Sequence, residues 1–296
     1  MSAALANSAR FKGELMRVGF VGLGDIGMPM AQRLIEQGFS VIALDTDGAK
    51  SAALASSGAE VAEAAADLYD CDVVGLAVPD DSAVEEILLA NGLLDGLAEG
   101  SVVLIHSTIL PETARRLAEQ GARRGVTVSD APVSGGAARA RQGDLAVMLG
   151  GDPQVMTTAG KVLDALASNA VHLGPSGAGA ATKLANQLAM LAALAALHEG
   201  LSLAEHYGAE EKTVLQVLGY GTGSSWVGQN WGFFDDLVRT YNATGVPLKN
   251  RPWSKDLWDV VASARAAELR VPLAGVLSQV LPDAVEQHSS PEAKGK

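Results

Sequence analysis

Cysteine is nearly absent. Cys71 is the only one in 296 residues, so no disulfide can close within the chain and no thiolate metal cluster can form; a reducing cytoplasm is the expected compartment. Basic residues are also scarce, 22 Lys and Arg against 34 Asp and Glu. A formal charge of -12 leaves no surplus to neutralise phosphates, which excludes a nucleic-acid partner. His198 and His206 lack a third ligand at suitable spacing, so no metal site is expected. The first fifteen residues lack the apolar core of a secretory signal. The longest apolar stretch is broken by Lys183, Asn186, Gln187, His198 and Glu199, so no membrane partner is expected either.

What the chain has in quantity is apolar sequence, 48% hydrophobic, enough at this length for one large or two ordinary domains. Arg17 to Val21 is a short β-branched run ending in Gly22-Leu-Gly-Asp-Ile-Gly27, and a helical pattern from Ile26 to Gln37 is closed by Gly38. A second strand is predicted at Ser40 to Leu44. Further apolar runs, Asp72 to Val78, Ser101 to Ile105, Val126 to Ser129, Leu145 to Leu149 and Ala170 to Leu173, alternate with helical stretches. That alternation predicts an α/β fold, a doubly wound and mostly parallel sheet with helices on both faces. After Gly179 the strands stop. Ala180 to Tyr207 is apolar through most of its circumference, which predicts a helix buried on all sides. From Glu210 to about Val285 the chain reads as helices, with loops at Gly219 to Gly223 and Asn242 to Pro252. The expected organisation is a disordered lead at 1–15, a dinucleotide-binding domain at 16–178, an all-α C-terminal domain for substrate and oligomerisation at 179–288, and a disordered tail at 289–296.

A Gly-x-Gly-x-x-Gly turn between a strand and a helix suits a dinucleotide pyrophosphate. Gly22 permits the tight turn, Gly24 lets phosphate approach the backbone, and Gly27 lets helix and strand close together. The helix start at Asp25 and Ile26 offers free N–H donors. Val78 and Pro79, where a later strand ends, are expected beside the same cofactor. Asp45 ends the second strand and can accept from both adenosine ribose hydroxyls. A 2′-phosphate would be repelled there, so NAD is expected over NADP. Asp45-Thr-Asp47 is equally ordinary turn chemistry, and that alternative stays open.

Lys183 lies in the first turn of the long apolar helix. Burial and the positive helix end would both push its amine toward neutrality, fitting it to exchange a proton with a substrate hydroxyl. A solvated charge is the plain alternative. Asn186 and Gln187 share its face and can hold a substrate oxygen or fix the lysine. Ser134, Gly135 and Gly136, just after a strand, would make a small nest for a substrate carboxylate or simply a turn. Thr108, at another strand end, either meets the nicotinamide or the substrate or helps to cap the helix that begins after Pro111.

Gly22-Leu-Gly-Asp-Ile-Gly-Met-Pro-Met30, Ala131-Pro-Val-Ser-Gly-Gly136, Gly174-Pro-Ser-Gly-Ala-Gly-Ala-Ala-Thr-Lys183-Leu-Ala-Asn186 and Lys255-Asp256-Leu257 together resemble the four signatures of the β-hydroxyacid dehydrogenase family, in order and across nearly the whole chain. The resemblance implies a Rossmann domain followed by a helical one, and reversible oxidation of a 3-hydroxy acid of the 3-hydroxyisobutyrate type to its semialdehyde or ketone. It implies Lys183 as general acid and base, Ser134 to Gly136 on the carboxylate, Thr108 and Asn186 near the substrate, and Lys255 near the nicotinamide end of the cofactor. Gln187 stands where the family often has a second asparagine. Ala185 replaces the histidine usual in phosphogluconate dehydrogenases, against decarboxylation of a phosphorylated sugar acid. An imine reductase of the same architecture and a non-catalytic NAD-binding scaffold are the alternatives; Lys183 favours the hydroxy-acid branch.

Trp226, Trp231, Trp253 and Trp258 all fall in the helical domain. They either accommodate a bulky substrate side group or form core and interface. Arg239 and Arg251 can each meet a second anion or form a surface ion pair. A homodimer or homotetramer acting on a small carboxylate substrate is expected.

Overall fold

Runs of Val, Ile and Leu too apolar to leave a solvated face make the centre of the sheet. The protein is described by a computed structural model over residues 16–289; the lead expected at 1–15 and the tail beyond Ser289 lie outside the described residues. The strands are β1 (Arg17–Val21), β2 (Ser40–Leu44), β3 (Glu60–Val61), β4 (Val73–Leu76), β5 (Val102–Ile105), β6 (Thr127–Asp130), β7 (Val133–Ser134), β8 (Leu145–Gly150) and β9 (Ala167–Gly174). Among the described residues they form one sheet in the order β3-β2-β1-β4-β5-β6-β8-β7, with β9 on β8. Pairing is parallel from β3 through β6 and between β8 and β9, whereas β8 runs antiparallel to β6 and β7.

Side chains alternate across a strand, and here both faces are covered. Val102 and Leu104 of β5 join a core with Met30 and Leu34 of α1 (Gly27–Glu36). Val103 and Ile105 join the opposite core with Leu117 of α2 (Pro111–Ala122). After β7 comes α3 (Gly136–Gln142), and the later helices include α4 (Ala178–His206), α5 (Glu211–Tyr220), α6 (Phe233–Thr244), α7 (Pro252–Ala266) and α8 (Pro272–His288). The chain divides into two units between Lys183 and Leu184, inside α4. The second unit has its own core, in which Leu191 and Leu194 of α4 meet Phe234, Trp253, Leu257, Leu277 and Leu281.

The expectation that α4 is buried on all sides does not hold. Leu184, Gln187, Leu191, Leu194, Leu197 and Leu201 form a buried stripe at helical spacing, while Ala185, Ala189 and Ala196 are exposed. Alanine supplied much of the apolar composition, and one methyl group costs little in water, so apolar composition did not demand burial. By length and composition alone α4 is also apolar enough to cross a membrane; its leucine stripe belongs to the core of the second unit. The loop expected from Asn242 begins late, because α6 runs to Thr244 and ends on Gly245 at φ 72°.

The ends of β5 and β6 carry two buried polar groups. Asp130 is 1% exposed. Its carboxylate accepts the N–H of Gly177 at 2.9 Å and of Ala180 at 2.8 Å, so it caps α4 from another element. The backbones meet there: a Cβ at Gly179 would stand 2.2 Å from the Met148 carbonyl oxygen, and one at Gly150 2.5 Å from Asp130 Oδ2. His106, 5% exposed after β5, donates Nδ1–H to the Ala131 carbonyl at 2.8 Å. A carbonyl only accepts, so Nδ1 carries the proton and the ring is neutral with Nε2 bare. Burial depresses its pKa from 6.5 to about 4.

Replacing Asp130 by Ala orphans two N–H groups at the start of α4 and should cost about 2–6 kcal/mol. Urea unfolding is the check; a loss below about 1 kcal/mol would show the cap to be dispensable. His106 gives a pH dependence. The unfolded chain takes up a proton near pH 6.5 that the fold refuses until about pH 4. This contribution to stability is complete above 6.5 and falls away toward 4, by on the order of 3 kcal/mol. His198, whose pKa is also lowered to about 4 by burial and by His288, acts in the same direction. In His106→Leu the fall in stability between these pH values should be shallower than in the wild type, and identical slopes would remove His106 as the cause.

Candidate functional site

In the first unit, the turn after β1 is built by close approach. Gly22 has φ +89°, and a Cβ there would lie 2.4 Å from the Ala77 carbonyl oxygen. A Cβ on Gly27 would stand 1.9 Å from the Gly22 carbonyl oxygen, so α1 can begin against the turn only with glycine there. Gly24 differs: nothing lies within 4 Å of its Cβ position, and it is exposed with Asp25. The residue that packing does not require to be glycine is thus the one facing open space, beside the start of α1 at Ile26 and Gly27. These features fit a dinucleotide pyrophosphate, which needs an unobstructed backbone at a helix start.

Asp45 follows β2 directly and does more than terminate it. Its Oδ2 accepts the Leu23 N–H at 2.6 Å and its Oδ1 the Asp47 N–H at 2.8 Å. The carboxylate therefore ties the glycine turn to β2, so the turn-forming role exists. Lys50 Nζ lies 4.0 Å away. Each oxygen retains acceptor capacity, which leaves ribose recognition chemically open.

Val78 and Pro79 follow β4, Val78 half-buried and Pro79 exposed. The Val78 N–H donates to Ser107 Oγ at 2.9 Å, so Ser107 joins the ends of β4 and β5. Thr108 comes next and is half-buried. The N-cap of α2 is Leu110, whose N–H donates to Asp81 at 3.0 Å. Ser134 ends β7, and Gly135 and Gly136 follow at φ +137° and +73°. A Cβ on Gly135 would press on Arg139 and Leu145 at 3.1 Å, whereas Gly136 is open. Asp130 begins the same segment, so the link that holds α4 also roots the Ser134–Gly136 loop. Lys183, half-buried, stands three residues beyond Ala180 in that anchored helix.

In the second unit, Asn186 and Gln187 diverge. Gln187 is 6% exposed, and its Nε2 donates to Asp256 Oδ2 at 2.6 Å. Its amide is spent inside the unit, so substrate contact is not where the structure puts it. Asn186 is half-buried and donates Nδ2–H to Gln187 Oε1 at 3.1 Å. Lys255 pairs with Asp259 at 2.7 Å and with Asp256 at 3.6 Å. Asp256 was legible only as part of a motif, and Asp130 and His106 likewise had no assigned role; a polar residue closing an apolar run was the available signal.

The arginine and tryptophan expectations also divide. Arg251 is buried, holding Glu286 at 2.7 Å and Asn242 at 2.6 Å, so it is neither an anion site nor a surface pair. Arg239 pairs with Asp236 on the exposed face of α6. Trp253 is fully buried with its Nε1–H on Glu286 at 3.0 Å, and Trp231 donates to Glu211 at 3.0 Å. Trp226 and Trp258 stand half exposed.

Residues 17–174 match the family described as the NAD binding domain of 6-phosphogluconate dehydrogenase. Residues 177–294 match that described as NAD-binding of NADP-dependent 3-hydroxyisobutyrate dehydrogenase. The NAD-dependent L-serine dehydrogenase of Pseudomonas aeruginosa is 32% identical over 82% of this chain and 78% of its own. The 3-hydroxyisobutyrate dehydrogenase of the same organism is 32% identical over 89% and 90%. The solved structure of Mycobacterium tuberculosis 3-hydroxyisobutyrate dehydrogenase with L-serine is similar at a TM-score of 0.79 and 25% identity, covering 93% of this chain and 96% of that one. With a glycine turn built for a dinucleotide, a lysine-bearing helix rooted beside a candidate carboxylate loop, and these relatives across its length, the chain belongs to the β-hydroxyacid dehydrogenase family, oxidoreductases that act on CH–OH donors with a nicotinamide cofactor.

Proposed function

We propose that the protein reversibly oxidises a 3-hydroxy acid to the semialdehyde or ketone, with NAD preferred over NADP and Lys183 as general acid and base. One observation carries the reading: Asp130 anchors the helix that bears Lys183 and closes β6, from which the chain passes directly into β7 with Ser134 and on to Gly135 and Gly136. A proton-transferring amine and donors for a carboxylate thus grow from one rigid point.

Gly22, Gly24, Asp25, Ile26 and Gly27 would hold the cofactor's pyrophosphate, Asp45 its adenosine ribose, and Val78, Pro79, Thr108 and Lys255 its remaining length. Asp45 supports NAD because a 2′-phosphate would meet a carboxylate already fixed by two backbone bonds. When bound, the nicotinamide supplies a hydride acceptor for the carbinol carbon. Ser134 Oγ–H and the Gly135 and Gly136 N–H groups donate to the substrate carboxylate and set its orientation. Lys183 Nζ, as the neutral amine, takes the hydroxyl proton; in reverse, the ammonium returns it to the carbonyl oxygen. Asn186 and Thr108 stand near the substrate. The named activities of the relatives support a small 3-hydroxy acid, and the half-exposed Trp226 and Trp258 are the candidates to meet a bulkier side group.

The test is absorbance of reduced nicotinamide, with NAD and NADP offered separately against 3-hydroxy acids bearing small and aryl side groups, and cyclic imines offered with NADPH. Turnover with NAD and a 3-hydroxy acid is expected. Lys183→Ala should lower kcat by about 10²–10⁴-fold while leaving NAD affinity within about threefold. Undiminished turnover in that variant, or turnover of imines alone, would overturn the assignment. We also propose a homodimer or homotetramer, supported by Leu203, Tyr207, Val217 and Tyr220, large apolar side chains exposed along α4, α5 and the turn between them. Light scattering at micromolar concentration should give a multiple of the chain mass, and the monomer mass alone would remove this proposal.

A further inference from the structure

The buried pair Gln187 and Asp256 has no part in the proton transfer above, yet a carboxylate and an amide this deep need a reason. Asp256 is 5% exposed and Gln187 6%. They belong to a chain of polar contacts within the second unit: Asp259 and Asp256 on Lys255, Asp256 on Gln187, and Gln187 on Asn186. Each link has a direction. A carboxylate only accepts, so Gln187 must turn Nε2 toward Asp256. Its Oε1 then faces Asn186, which must donate through Nδ2. The Asn186 amide is thereby oriented, with its carbonyl oxygen directed away from the chain. The second asparagine usual in the family is one methylene shorter than the glutamine that makes this link.

We propose that Asp256 is a positioning residue that, through Gln187, makes Asn186 present an acceptor to the substrate, selecting 3-hydroxy acids with a hydrogen-bond donor on carbon 2 over those with an alkyl group there. The inference rests on the assignment of Asn186 to the substrate. The donor concerned is an ammonium or second hydroxyl, distinct from the reacting hydroxyl whose proton passes to Lys183. Asp256→Asn is the informative change. Lys255 keeps Asp259 at 2.7 Å, so the cation is not stranded, while an asparagine amide can donate to Gln187 Oε1 and reverse both amides in turn.

Calorimetric titration of the NAD-loaded enzyme with L-serine and with 3-hydroxyisobutyrate compares an ammonium with a methyl group on carbon 2 and needs no turnover. The wild type should bind L-serine more tightly, and the ratio of the two affinities should fall by at least about tenfold in Asp256→Asn. Gln187→Met, nearly the same shape without the polar link, should also lower the ratio and guards against misfolding of the first variant. A ratio unchanged in both variants, or a wild type that prefers the methyl compound, would overturn the proposal even if turnover establishes the dehydrogenase. A shifted ratio without turnover would uphold the amide relay and sink the proposed chemistry instead. If neither compound binds, both fall.

Discussion

One carboxylate organises the N-terminal unit. Asp130 closes β6 and receives two N–H groups from the start of α4, so a sheet strand and a 29-residue helix are fastened through a pair of short bonds. A carboxylate suits this better than an amide, because both of its oxygens accept and its charge meets the positive end of the helix. The link holds only because the backbones come close, and Gly150 and Gly179 are the residues that allow it. Everything proposed for Lys183 and for the Ser134 loop depends on that contact.

The parallel half of the sheet was legible because its strands are covered on both faces and so read as uninterrupted apolar runs. β1 and β2 fall on the predicted residues, while β3 and β7, two residues each, carry too little pattern to be seen. The glycine turn was legible because three positions have three different steric reasons, now visible as two collisions and one open space. The circumferential burial of α4 was misread because hydrophobic scales count alanine with leucine. Arg251 was misread because a long charged side chain gives no sign that Glu286 waits 35 positions further on. The polar links of Asp130, Asp256 and His106 were illegible for the same reason: their partners lie 25 to 69 positions away, and no local periodicity encodes such pairs.

The two units use buried polarity in the same manner. Asp130 in the first, and Arg251 with Glu286 and Asp256 with Gln187 in the second, each satisfy a group that would be costly to leave unpaired. Such groups add little net stability over well-packed apolar side chains. What they add is direction, since a donor must face an acceptor. That property matters for Asn186, whose two amide ends are nearly identical in shape and opposite in chemistry.

The division between the units falls inside α4, between Lys183 and Leu184, and the helix passes through it unbroken. Lys183 and Asn186 therefore sit about 4.5 Å apart along a common axis, a spacing set by backbone hydrogen bonds rather than by any loop. The helix acts as a ruler with a fixed phase. One residue inserted between them would turn Asn186 by about 100° around the helix axis relative to Lys183 and slide it about 1.5 Å along it. Length in this stretch is thus far less negotiable than identity: alanines may be exchanged on the outer face, but the count of residues cannot drift.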